Sequence, residues 1–68
     1  MRLSELKISR TALVQIADDY IWNARNKEIL YKKMEGYTHE EIAEMYNLST
    51  QRVKEIIKNC IIVISEHS

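Results

Sequence analysis

The chain has no proline, one glycine and one cysteine in 68 residues. Without proline, nothing removes a backbone donor from the middle of a helix, and the Met, Leu, Ile, Glu and Lys content favours helices. Cys60 has no second cysteine to pair with, and no Cys/His cluster offers a zinc cage, so a reducing cytoplasmic setting is expected. Long apolar runs are also missing. The longest, Cys60 to Ile64, is far too short to span a bilayer, and the first residues lack the apolar centre of a signal peptide. No membrane partner is expected. Neither sign of charge is in excess: ten Lys/Arg balance ten Asp/Glu. Residues 1–36 carry seven basic against five acidic side chains, and residues 37–68 carry three against five. The basic excess that usually drives phosphate binding is therefore absent.

What is present is helical periodicity in a chain the size of one small domain, 1–68. Leu13, Ile16, Ala17, Tyr20, Ile21 and Ala24 recur at i, i+3, i+4, i+7, i+8 and i+11, an apolar stripe on one helix face. Ser9 or Thr11 is placed to cap it, although Leu6, one heptad before Leu13, allows an earlier start. Asn23 and Asn26 mark a break. A second helix carries Ile29, Leu30 and Met34, and Gly36 sits where a left-handed residue would close it.

Thr38-x-x-Glu41 has capping-box spacing and opens a third helix with apolar Ile42, Met45 and Tyr46. Asn47, which tolerates a left-handed backbone, closes it. Ser49 then caps a fourth helix, in which Val53, Ile56, Ile57, Cys60, Ile61 and Ile64 repeat at helical spacing. The β-branched run Ile61–Ile64 is also compatible with a short strand; the periodicity favours helix.

Two helices joined by so short a turn must cross steeply, as in a helix-turn-helix. That geometry requires a small residue at the crossing, a residue tolerant of positive φ in the turn, an apolar plug after it, and an inward pair on the second helix. Ala43, Asn47, Leu48 and the pair Val53/Ile56 meet these demands in order.

The stretch "GYTHEEIAEMYNLSTQRVKEII", with the preceding "NKEILYKKME", resembles region four of bacterial RNA polymerase sigma factors over roughly residues 26–58. Its Gly-Tyr-Thr-x-Glu-Glu-Ile-Ala start and its Ser-x-x-Arg-Val second helix carry the likeness; LuxR-type output domains share the pattern more loosely. Asn47 stands where the family usually has glycine. The resemblance implies an all-α, four-helix (tri- or tetrahelical) domain with its motif at 38–58, binding double-stranded DNA. Because a complete sigma factor needs further domains, it also implies a free-standing transcriptional regulator of the kind that phages and mobile elements encode.

Carried over residue by residue, the resemblance brings Thr50, Gln51, Lys54 and Glu55 to base edges in the major groove. Gln51 is suited to adenine and Glu55 to cytosine N4. Ser49, Arg52 and Lys58 would touch phosphate or set register, and Thr38 opens a helix whose amino end suits a phosphate. The same charges also fit an ordinary solvated face, with Glu55 and Lys58 spaced i, i+3 for a surface ion pair. A second reading is a protein-interaction module that binds RNA polymerase, a sigma factor or another regulator.

Catalysis, cofactor and metal are not expected. His39-Glu40 would need a histidine at Ala43 to make H-E-x-x-H; His39 reads as an exposed first-turn residue and His67 as part of a frayed tail. Cys60 reads as a buried small hydrophobe. Trp22 reads as core or a subunit contact. Apolar surface beyond what the motif needs, at Ile61, Ile62, Val63 and Ile64 and around Tyr20, Ile21 and Trp22, predicts a homodimer that spans two half-sites.

Overall fold

The computed structural model describes residues 9–67, which form four helices and no strand: α1 (Arg10–Tyr20), α2 (Ala24–Glu35), α3 (His39–Tyr46) and α4 (Thr50–His67). Residues 60–64 are thus helical. Leu6 lies outside the described residues. Ser9 is the cap of α1, its Oγ accepting the Ala12 N–H at 3.1 Å.

The first apolar stripe is shorter than its spacing predicts. α1 stops at Tyr20, and the extended backbone of Ile21 (φ −106°) breaks the helix. Asn23 then starts α2, its Oδ1 accepting the Asn26 N–H at 3.1 Å. Ala24 consequently opens α2 and is exposed, and Asn26 belongs to its first turn. A local Asn cap competes with continuation of the helix and ends it one turn early. Ile21 remains buried although it has left the helix.

The next two boundaries use one device. Gly36 (φ 107°) donates to the Lys33 carbonyl at 3.1 Å, and the Tyr37 N–H reaches back to Lys32 at 3.2 Å. Asn47 (φ 54°) donates to Glu44 at 3.4 Å, and the Leu48 N–H reaches Ala43 at 2.8 Å. Both are Schellman closures, in which a left-handed residue lets its own N–H and that of the next residue satisfy carbonyls that the helix end leaves unpaired.

α4 is the central element and packs against α1, α2 and α3. At 1.5 Å per residue its 18 residues extend about 27 Å, comparable with the 30 Å longest dimension of the fold. Its whole predicted stripe, Val53, Ile56, Ile57, Cys60, Ile61 and Ile64, is buried. These meet Leu13, Ala17 and Ile21 from the α1 side, Ile29 and Leu30 from α2, and Ile42 and Ala43 from α3 in one cluster. Burying each large aliphatic side chain contributes roughly 1.5–3 kcal/mol.

The far end of α4 differs from expectation. His67 is not frayed; its ring stacks on Tyr20 at 3.6 Å between centroids and 2° between planes, tying the end of α4 to the end of α1. Trp22 is not core: it is 88% exposed, with its indole N–H donating to the Asp19 carbonyl at 3.1 Å. Two residues beyond the helix end, it lies outside the stripe that carries Leu13 and Ala17 inward. No helix among the described residues is long and apolar enough to cross a membrane.

Candidate nucleic-acid interface

The motif is built from its caps inward. Thr38 Oγ1 accepts the Glu41 N–H at 3.1 Å, and a Glu41 carboxylate oxygen accepts the Thr38 N–H at 2.9 Å, a complete capping box. The Thr38 N–H, and after it the Thr38 hydroxyl, hold the Glu41 carboxyl below the usual carboxylate range. The two bonds also occupy the backbone groups of Thr38 and Glu41. The amides of His39 and Glu40 have no hydrogen-bond partner among the described residues.

Asn47, Leu48 and Ser49 make the turn. Ser49 Oγ accepts the Arg52 N–H at 3.1 Å and its carbonyl accepts the Val53 N–H at 3.1 Å, so α4 starts with its first donors satisfied. Ala43, almost wholly buried, is also the residue whose carbonyl receives the Leu48 N–H. A methyl group at this point lets the turn fold back tightly, and Leu48 packs against the core beside it.

With Val53, Ile56 and Ile57 turned inward, the opposite side of α4 is left outward. Gln51, Lys54, Glu55 and Lys58, at i, i+3, i+4 and i+7, share that side and are exposed. Arg52, on its flank, is exposed, as are Ser49 and Thr38; Thr50 is half-buried. The eight predicted contact residues thus lie at the two helix starts of the motif and along the outward side of α4.

The electrostatics of this side differ from the spacing argument. Glu55 pairs with Arg52, not Lys58, at 3.4 Å. Side chains lean toward the amino end of their helix, which carries the Glu55 carboxylate towards Arg52. Half-exposed pairs of this spacing contribute only about 0.2–0.5 kcal/mol. Lys54 and Lys58 have no ion pair among the described residues.

His39 is half-buried, not exposed as a first-turn position suggests. Burial lowers its pKa first, and the cations of Lys33 and Lys54 lower it further against the opposing effect of Glu40. Lys33 near the end of α2 and Lys54 on α4 thus act on His39 from other helices, which spacing within any one helix does not reveal. Gly36, which closes α2, leaves only three residues between α2 and α3.

The predicted subunit contacts are only partly available. Ile61 and Ile64 are 3% and 0% exposed because they fill the chain's own core, which removes them from any interface. The helix turns them to the same side as Val53 and Ile57. Ile62 and Val63 are half-buried, Val63 against the core, and Trp22 is exposed. Among the described residues, no group of three His, Cys, Asp or Glu side chains is arranged to hold a metal ion.

A model of the family described as Sigma-70, region 4 matches residues 23–63, from the Asn23 cap of α2 into the C-terminal part of α4. No curated protein and no solved structure matches the chain.

Proposed function

The chain belongs to the sigma-70 region 4 family, and from that premise we propose that it is a cytoplasmic regulator of transcription that inserts the start of α4 into the major groove of DNA. The observation that carries this reading is the division of α4 into a buried side and an outward side bearing Gln51, Lys54, Glu55 and Lys58. In the proposed complex Thr50, Gln51, Lys54 and Glu55 face base edges. Gln51 pairs with adenine N6/N7 and Glu55 accepts from cytosine N4. Ser49, Arg52 and Lys58, with Thr38 at the start of α3, meet the phosphate backbone.

The neutral charge of the chain limits how much affinity one copy obtains from phosphates. Two copies on half-sites about 34 Å apart would double the contacts, and exposed Trp22 with half-buried Ile62 and Val63 is the apolar surface we assign to that pairing. Selection of bound duplexes from a random DNA pool tests the whole reading. A palindromic consensus is the expected result. Recovery of no preferred sequence, together with no salt-dependent binding, would reject it.

One observation favours a second reading, a module that binds RNA polymerase, a sigma factor or another regulator. α3 carries Glu40, Glu41 and Glu44 with no Lys or Arg, and Met45 between them and the turn is 47% exposed. Nuclease treatment separates the two readings: a protein partner stays bound in a pull-down, whereas a DNA-bridged one is lost.

A further inference from the structure

Trp22 is held outward by anchors on both sides. Ile21 before it is buried in the core, and Asn23 after it caps α2 by accepting the Asn26 N–H at 3.1 Å. The indole N–H donates to the Asp19 carbonyl at 3.1 Å, so the one polar atom of the ring is satisfied within the chain. Its apolar faces stand in solvent, 88% exposed. Neighbouring Tyr20 has the His67 ring stacked on it; Trp22 has no such ring partner among the described residues. The family match begins at Asn23, so α1 and Trp22 lie outside the part of the chain shared with the family. A large apolar side chain fixed in one orientation loses little freedom when something covers it.

The charges on either side of Trp22 sit where the chain itself disfavours them. Asp19 is in the last turn of α1, a helix end that favours cations, and no basic residue shares that turn. Arg25 is in the first turn of α2, an end that favours anions, and no acidic residue shares that turn. Both are exposed, and neither has an ion pair among the described residues. Asp18, by contrast, is neutralised within the chain: Lys27 Nζ lies 3.5 Å from its Oδ1, and the Tyr31 hydroxyl donates to the same oxygen at 3.3 Å. One anion and one cation therefore remain uncompensated, three residues before Trp22 and three after it. Each backbone position is within about 10 Å of that of Trp22, the reach of three extended residues.

We propose that residues 19–25 form a self-complementary contact with a second copy of the chain, Trp22 packing on Trp22 and Asp19 of each copy pairing with Arg25 of the other. This rests on the two-copy part of the proposed function and supplies the polar contacts that set its register. In a twofold contact one surface serves both copies. With Trp22 at the axis the two segments run antiparallel, and position 19 of one faces position 25 of the other. One charge of each sign on opposite sides of an aromatic anchor complements its own copy. A uniformly charged partner, such as the DNA backbone, would meet one of the two with repulsion. Two indoles bury far less than the roughly 1,200–2,000 Å² of a stable interface, so the free protein pairs weakly and in proportion to its concentration.

Sedimentation velocity across a concentration series tests this, together with the emission of Trp22, the one tryptophan of the chain. The wild type is expected to pass from monomer to dimer as concentration rises, with the emission moving to shorter wavelength in step. Asp19→Arg and Arg25→Asp each reverse one charge, and each places the sign that its own helix end favours, so folding is retained. Either variant alone is expected to self-associate about tenfold or more weakly. Mixed in equal amounts, the two variants should form a heterodimer at least as tight as the wild-type dimer, because both facing pairs then join opposite charges. Trp22→Ala should remain monomeric with an unchanged circular dichroism spectrum.

A wild-type dimer whose affinity neither variant alters overturns this contact and leaves a regulator paired through another surface. Trp22 emission that responds to added duplex and ignores protein concentration also overturns it, by placing the ring against DNA. A wild type that stays monomeric in solution and binds DNA one copy per site overturns the contact and the two-copy reading together, while sequence selection judges DNA binding separately.

Discussion

Arg52 and Glu55 face each other across one turn of α4, guanidinium Nη1 to carboxylate oxygen at 3.4 Å, on the flank of the side proposed to meet DNA. The pair holds a cation that would attract phosphate against an anion that would repel it. Glu55→Gln removes the anion and releases Arg52. Affinity for random-sequence duplex is expected to rise several-fold at low salt, with a salt slope steeper by up to about 1. If Glu55 also accepts from cytosine N4, the same variant loses discrimination at one base pair, worth about 1–3 kcal/mol. Unchanged affinity and selectivity in competition binding would remove Glu55 from the interface.

The α3–α4 corner depends on a small side chain and a left-handed one. Ala43→Leu puts a branched side chain into the buried space beneath Leu48 and is expected to cost about 1–3 kcal/mol in urea unfolding. Asn47→Ala keeps the positive φ but loses the residue type that tolerates it, a cost of roughly 1–2 kcal/mol. Asn47→Gly, by contrast, is expected to be near-neutral, because glycine meets the same φ of 54° without a Cβ. Equal losses in both Asn47 variants would mean that the side chain, not the backbone angle, matters there.

The capping box makes stability depend on pH with a defined sign. The folded Glu41 carboxyl titrates below its ordinary value of 4.5 because it accepts from Thr38. Its contribution is therefore complete above that ordinary value and disappears as pH falls through the lowered folded value. Wild type should be more stable than Glu41→Ala at neutral pH, and the two denaturation curves should converge in acid. Thr38→Ala, which removes the other half of the box, is expected to cost about 1 kcal/mol. A wild-type advantage over Glu41→Ala that persists unchanged into acid would show that Glu41 acts through packing instead.

Cys60 reports on the opening of the core. Burial among the aliphatic residues of α4 pushes its thiol up to about 11, so little thiolate exists near neutrality and none of it is accessible. Labelling by a disulfide reagent should be slow in the native protein, accelerate with urea, and be immediate once the chain is unfolded. Rapid labelling without denaturant would mean that α4 does not pack as described.

Helix identity, caps and inward positions were legible in the residues themselves, because each depends on short-range chemistry. Thr38 and Glu41 find each other three positions apart, Asn47 and Gly36 are marked by their tolerance of positive φ, and the six-residue stripe of α4 follows from 3.6 residues per turn. The crossing of α3 and α4 was legible too, since Ala43, Asn47, Leu48 and Val53 lie within one local stretch. The outward side of α4 followed by subtraction from its buried side. The break between α1 and α2 was marked by Asn23, but its exact position was not, because Ala24 continues a valid apolar repeat that the Asn23 cap overrides.

Contacts between helices were decided by the tertiary structure alone. That Ile61 and Ile64 face the chain's own core and not a partner depends on where α1 and α2 dock, and so does the stacking of His67 on Tyr20. The action of Lys33 and Lys54 on His39 likewise depends on how α2 and α4 pack beside α3. Periodicity orients a side chain relative to its own helix; which charge it meets across the gap is set by how the helices pack, and no spacing along the chain encodes that directly.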